Sequence, residues 1–331
     1  MTSRWIATLP ALAISLGLAA ADGARAQEVQ FTFATTNGPK DFSSQSVVRW
    51  KEALEERSNG AIVMDFIPGG ALGGDQQLLQ QLATNEIQMH VAGPVVVHRL
   101  LQPYQCMEAE YVYEDQDHGY RVWTGPLGEE VSSKLEDEYG ITIVAVGLRG
   151  ARHLTSNQPI ETPDDLQGVK IRVTNPLRAK IFEAYGALPG PLSIAELYGA
   201  LRQGVFDAQE NPIPTIWGNK FYEVQDYINL TGHVISYYVF AANKDFYEGL
   251  SEDHRKIFDD TLAEAIAWLN EQVRTEEDSL LQQMIDEGHV QVVEPDVAAF
   301  REVAQPIVQE FAAENCREGL LEDIAQYADG Q

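Results

Sequence analysis

Arg172 stands in the segment Val169-Lys170-Ile171-Arg172-Val173, where three apolar residues alternate with two cations. Alternation of this kind predicts a short strand with one apolar face and one cationic face. A guanidinium is planar, always charged and forked, so it matches a carboxylate through two parallel hydrogen bonds. Asn175-Pro176 follows at once, and Leu177 to Tyr185 reads as a helix with proline in its first turn. The edge between such a strand and such a helix is where open α/β sheets bind ligands. A solvated charged strand face satisfies the same pattern, and the bare residues favour that plainer reading. A further polar group, the Asn211-Pro212 loop, follows the next predicted strand, Val205 to Ala208. Groups of this type retain an anion without reacting with it.

Reactive chemistry has thinner support. No G-x-S-x-G and no H-E-x-x-H occurs. The Gly-rich stretch Pro68 to Gly74 lacks the Lys-Ser or Lys-Thr of a phosphate-cradling loop and reads as a turn. The seven histidines are scattered singly; His153, beside Arg152, is the candidate base, and a lone histidine is more often structural. Asp164-Asp165 sits at a helix start, where carboxylates favour the helix dipole. The two cysteines, Cys106 and Cys316, are too far apart for a metal-type CxxC. In an oxidising compartment they pair, tying the early chain to the C-terminal helix; otherwise they remain two thiols. No cofactor and no metal site is expected.

The elements that must position these residues follow from composition and pattern. A chain of 331 residues is long enough for two domains with real cores. Fifty acidic against 23 basic residues give a net charge of -27, which argues against nucleic acid and against docking on anionic lipid. Residues 1–26 read as a secretory signal: Arg4, an apolar run from Ile6 to Ala21 broken by Pro10, and Ala24-Arg25-Ala26 as the cleavage site. No later run approaches the roughly 20 apolar residues of a spanning helix, so no direct membrane insertion is expected. Strands are predicted at Val29 to Ala34, Ala61 to Phe66, Ile87 to Val91 and Ile141 to Val146, with helices between. Ser193 and Glu196 read as a capping box opening a helix that runs to Gln203. Asn229 to Ala242 is long, aromatic and β-branched, hence a strand crossing between domains. Ser251 to Glu287 keeps one helical rhythm and is long enough to brace two domains. Val297 to Ala313 reads as a helix interrupted by Pro306. The alternation of strands and helices is α/β.

The middle of the chain resembles one family, the periplasmic solute-binding proteins of TRAP (tripartite ATP-independent periplasmic) transporters, of the DctP type. The residues that carry the resemblance are Thr155 to Ile160, Asp165 to Arg172, Glu196-Leu197-Tyr198, Gly204 to Asp207 and Gln209 to Pro212, in the family's order. The N-terminal part follows the same rhythm, through Arg57 to Gly60, Pro68 and Ala71 to Gly74. The resemblance implies a two-lobed periplasmic binding protein fold with crossing strands and a long helix bracing both lobes. Lobe I would hold residues 27–149 and 238–277, and lobe II residues 150–237 and 278–331. It implies that Arg172 pairs with a solute carboxylate, that Arg152 assists, and that Asn211 and, more weakly, Asn37 line the pocket. Trp217 is a candidate to supply a ring. Arg149 competes for the role of Arg152, although a surface or core-edge pair is its expected place. Positions that hold aromatic rings in ectoine-binding members are Ile194 and Pro214 here, which weakens an ectoine reading. The implied partners are a small carboxylate (a sugar acid, keto acid or dicarboxylate) and the small and large permease subunits. The implied place is the periplasm. An exported enzyme acting on an organic acid, and a solute-sensing protein with the same cleft, are the alternatives.

Overall fold

The computed structural model describes residues 29–328, so the expected signal segment at residues 1–26 lies outside the described residues. The chain begins with β1 (Val29–Ala34), α1 (Phe42–Arg57), β2 (Ile62–Ile67), α2 (Asp75–Ala83) and β3 (Met89–Ala92). Next come α3 (Val95–Leu100), a 3-10 turn at Gln102–Glu108, α4 (Gln116–Thr124), α5 (Pro126–Tyr139) and the long β4 (Ile141–Ser156). Then follow β5 (Lys170–Val173), α6 (Pro176–Ala184), β6 (Leu188–Pro191), α7 (Ile194–Arg202), β7 (Ala208–Pro212) and α8 (Ile213–Gly218). The chain closes with β8 (Tyr227–Asn243), α9 (Lys244–Glu248), α10 (Glu252–Asp286), β9 (Gln291–Val293), α11 (Val297–Asn315) and α12 (Leu320–Gln326).

The strands form one sheet in the order β2-β1-β3-β8-β4-β7-β5-β6, with β9 on the end of β8. Three parallel strands at one side and three at the other are joined by the antiparallel pair β4 and β8. That pair runs through both lobes of the α/β architecture. Its ladder slips between Leu148 and Gly150, and Gly150 takes φ +97, a conformation open mainly to glycine.

Local chemistry explains the elements around the sheet centre. Phe31 and Phe33 of β1 point into the core, and α1 covers them with Val47, Trp50 and Leu54. Asp41 caps α1 by accepting from the Ser43 backbone N–H. Trp50 donates from Nε1 to Thr261 of α10 at 3.0 Å, which fixes the long helix against α1. Thirty-five residues at about 1.5 Å each make α10 roughly 50 Å long, enough to lie against α1, β4 and α8.

Four local expectations change. The strand expected at Ile141 to Val146 continues to Ser156. β7 begins where the predicted strand ends, and Asn211-Pro212 closes a strand instead of forming a loop. Its residues are polar yet buried, satisfied by side chains, so apolar periodicity does not reveal it. Ser193 sits at the start of α7 but makes no side-chain cap bond. Finally α11 continues through Pro306, which faces solvent, where the carbonyl that proline frees can be met by water.

Cys106 and Cys316 are joined in a disulfide, S–S 2.06 Å, across 210 residues of sequence. It fastens the 3-10 turn to the end of α11.

Candidate functional site: a cavity walled by arginines

A cavity of about 820 Å³ opens above the centre of the sheet. It is built at strand ends. Asn37 follows β1, Gly93 follows β3, Arg172 and Thr174 close β5, Leu192 follows β6, and Asn211 lies near the end of β7. The N-terminal turn of α2 and the start of α3 supply the rest of the near wall. This is the carboxyl-end crevice that open α/β sheets use for ligands.

Arg172 is 5 % exposed and donates from Nε to the Leu192 carbonyl at 2.8 Å. Among the described residues its terminal nitrogens have no hydrogen-bond or ion-pair partner. The alternation of β5 turns Ile171 into the core and Arg172 toward the cavity, so Arg172 is enclosed while Lys170, on the same face, stays exposed. Burial lowers the Arg172 pKa to about 10, although Glu210 pulls it back upward. A guanidinium so placed has no ion-pair partner among the described residues and keeps the N–H donors of both terminal nitrogens for the cavity.

Arg152 also lines the cavity, on β4. Its Nε donates to the Glu210 carboxylate, and Nη2 donates to the Glu210 carbonyl and, at 3.1 Å, to Asn211 Oδ1. Glu210 is shared with Arg178 at 3.5 Å, and Arg178 also pairs with Glu110 at 2.9 Å. Burial pushes the Glu210 carboxyl up, but Arg152 and Arg178 outweigh it and hold it well below the usual range. Asn211 accepts from two arginines and donates from Nδ2 to Gln209 Oε1 at 2.6 Å. It is an oriented amide in the cavity wall. Asn37 is buried in the same wall, with Nδ2 donating to Ser43 Oγ at 2.8 Å.

Two expectations are corrected. Trp217 is not among the residues that line the cavity. It stacks on Tyr222, ring centroids 5.1 Å apart and 11° between planes. Arg149 is not in a surface or core-edge ion pair: it is buried in the cavity wall, over the Tyr238 ring at 5.2 Å. Its Nη2 lies 3.4 Å from Asn211 Oδ1 and 3.3 Å from Thr215 Oγ1. Thr215 passes this on by donating to Asp41 Oδ2 at 3.1 Å, and Tyr238 donates to Asp41 Oδ1 at 2.7 Å. Neither Thr215 nor Asp41 carries a sequence signal for this role, because they are 174 residues apart.

The groups proposed for reactive chemistry lie elsewhere. His153 is outside the cavity and accepts from the Gly232 N–H at 3.1 Å. Asp165 caps its own helix start at Thr162. His98 does line the cavity, 3.3 Å from Glu108, and burial pushes its pKa down to about 4, so it is neutral at pH 7. Ile194 lines the cavity and Pro214 does not. Among the described residues no cluster of three His, Cys, Asp or Glu side chains forms a metal site, and no helix is long and apolar enough to cross a membrane.

The profile described as bacterial extracellular solute-binding protein, family 7, matches residues 33–315. The C4-dicarboxylate-binding periplasmic protein DctP of Rhodobacter capsulatus is 30% identical over 312 residues, 91% of either chain. The sialic acid-binding periplasmic protein SiaP of Vibrio cholerae is 30% identical over 261 residues, 78% of this chain and 81% of its own. Among solved structures, a TRAP periplasmic solute binding protein from Ochrobacterium anthropi with bound L-fuconate is 28% identical at a TM-score of 0.84. The match covers 91% of this chain and 99% of that one. The sugar acid binding protein DctPAm from Advenella mimigardefordensis, in complex with galactonate, superposes at a TM-score of 0.86 with 26% identity. That alignment covers 92% of this chain and 99% of its counterpart.

Proposed function

The chain belongs to the family 7 bacterial extracellular solute-binding proteins, and on that premise we propose that it is the solute receptor of a TRAP transporter for a small organic acid. The solute is a sugar acid, keto acid or dicarboxylate, the classes that relatives and neighbours are named for. Its carboxylate occupies the cavity against Arg172, with Asn211 and Asn37 as polar wall and Arg152 behind. The receptor works in the periplasm after removal of residues 1–26 and delivers its cargo to the small and large permease subunits.

One observation carries this reading. Arg172 is buried, lacks a carboxylate partner among the described residues, and its two terminal nitrogens make no hydrogen bond where it lines a cavity of about 820 Å³. A buried cation in that condition is completed by an anionic guest. A charge-assisted pair contributes about 1.5–3 kcal/mol, more where water is excluded.

Closure follows from the architecture. We assign residues 27–149 with 238–277 to one lobe and 150–237 with 278–331 to the other. Both crossing strands then change lobe near the ladder slip at Gly150, and α10 spans the two. The solute touches both walls and so favours the closed state by its differential affinity.

A thermal-shift screen over organic acids tests the proposal. Ligand at 100 times its dissociation constant adds about 2.7 kcal/mol, a clear rise in melting temperature. Stabilisation by uncharged solutes only, with no acid active, overturns the carboxylate assignment. An enzyme in place of a receptor would return altered product after denaturation, and a receptor returns its ligand unchanged.

A further inference from the structure

Two buried arginines of the cavity wall have no ion pair among the described residues, Arg172 and Arg149. Arg152 is paired: Glu210 and Asn211 engage its Nε and Nη2, though not Nη1. Arg149 makes only the two long contacts from Nη2, and its Nε is buried without any acceptor. Among the described residues it has no ion pair. Asp75 and Glu108, the acids nearby, have other partners: Asp75 accepts from Thr36 at 2.7 Å, and Glu108 from Ser236.

Arg149 is nevertheless held still. The Tyr238 ring lies beneath it, and Thr215, anchored on Asp41, braces Nη2. Nη1 presses on the backbone of Gly93, where a Cβ would stand 2.3 Å away. A fixed guanidinium with unfilled donors is a preorganised site, paid for before any guest arrives.

The backbone puts it there. In a regular strand, residues three apart point to opposite faces, so Arg149 and Arg152 should be separated. The ladder slip and the φ of +97 at Gly150 bring both to one cavity. Arg149 and Arg172 come from strands with β7 between them, and Arg172 is level with Thr155, six residues along β4 from Arg149, so their backbones are well over two strand spacings, about 10 Å, apart. They reach a guest from different directions.

We infer that Arg149 is a specificity-determining residue that receives a second oxygen acceptor of the solute, beyond the carboxylate taken by Arg172. The inference rests on the organic-acid reading above. The guest class is an acid with either a hydroxyl next to its carboxylate or a second carboxylate; a plain monocarboxylate fills only half of the site.

Calorimetry with two matched pairs of probes, lactate against propionate and succinate against butyrate, reads this directly. The wild type is expected to prefer lactate, succinate or both over the matched monocarboxylate by at least about tenfold, the lower end for a charged hydrogen bond. Arg149→Gln should bring that preference to within about threefold of parity. Flattening of the lactate ratio identifies a hydroxyl, and flattening of the succinate ratio a second carboxylate. If Arg149→Gln melts early in the absence of ligand, Arg149→Lys carries the same comparison, with the fork lost and the charge kept. No preference in the wild type, a preference that survives in the variant, or equal weakening of all four probes overturns the inference while leaving the carboxylate assignment in place. Failure of the wild type to bind any of the four at millimolar concentration overturns both.

Discussion

Arg152 and Glu210 form a buried ion pair between neighbouring antiparallel strands, β4 and β7, with the second Glu210 oxygen turned to Arg178. The arginine to which the family resemblance gives an assisting role is therefore already bound to the protein. It supports the cavity wall, and it orients Asn211 by donating to it.

Loss of that support should be visible in stability. Arg152→Ala leaves Glu210 with Arg178 and His233 alone in a buried place. Removing one partner of a buried pair costs about 3–5 kcal/mol, and urea unfolding should show a loss of that size. Unchanged stability, with only affinity reduced, would make Arg152 a solute contact and not a structural one.

Arg172→Ala should behave in the opposite way. The side chain has no acidic partner to abandon, so the melting temperature without ligand should stay level or rise. Affinity for organic acids should fall by about ten- to 150-fold, the worth of one charged hydrogen bond. Arg172→Lys should also bind poorly because the fork is lost. Wild-type affinity in both variants removes Arg172 from the site.

Glu277 should make stability depend on pH. It lies on α10 against Gly150, where a Cβ would stand 2.9 Å from its Oε1, and that oxygen has no hydrogen-bond partner. Burial, aided by Asp278 and opposed by the Ile213 N–H, pushes its pKa up to about 8. The folded state thus keeps a proton that the unfolded chain gives up near pH 4.5. Its stabilising effect is complete below that pH and declines as pH rises toward 8, by at most about 1.4 kcal/mol per pH unit. Glu277→Gln should remove the decline and raise stability at pH 8. Parallel pH profiles for the two proteins would show that Glu277 ionises normally.

Gly150→Ala should be poorly tolerated. It forces an L side chain into φ +97 and against the Glu277 carboxylate. Denaturant unfolding should show a loss above about 1 kcal/mol, and the ligand preference assigned to Arg149 should weaken with it.

Reduction of the disulfide should destabilise the fold. Closing a loop of 210 residues restricts the unfolded chain strongly, and native bridges in this range contribute about 2–5 kcal/mol. Melting with and without reductant reads the difference. Equal curves would mean the bridge contributes nothing.

The sequence by itself determined the α/β class and the long bracing helix, because these rest on local rules; for Arg172 those rules set the strand face but favoured solvent over a cavity. Period-2 alternation sets the two faces of β5, and helical rhythm sets α10. The order of the middle segments carried the family. The boundaries of β7 escaped, because its residues are polar and buried at once. Pro306 reads as a break in sequence, and only its solvent-facing position, a tertiary fact, lets the helix pass. The tertiary structure alone decided which arginine is free. Arg149 and Arg152 look alike in the chain, and only the packing of Glu210 beside one and Tyr238 beneath the other separates them. Burial makes that difference matter: a guanidinium out of water must find its counter-charge among neighbours that are distant in sequence, or leave its donors for a guest.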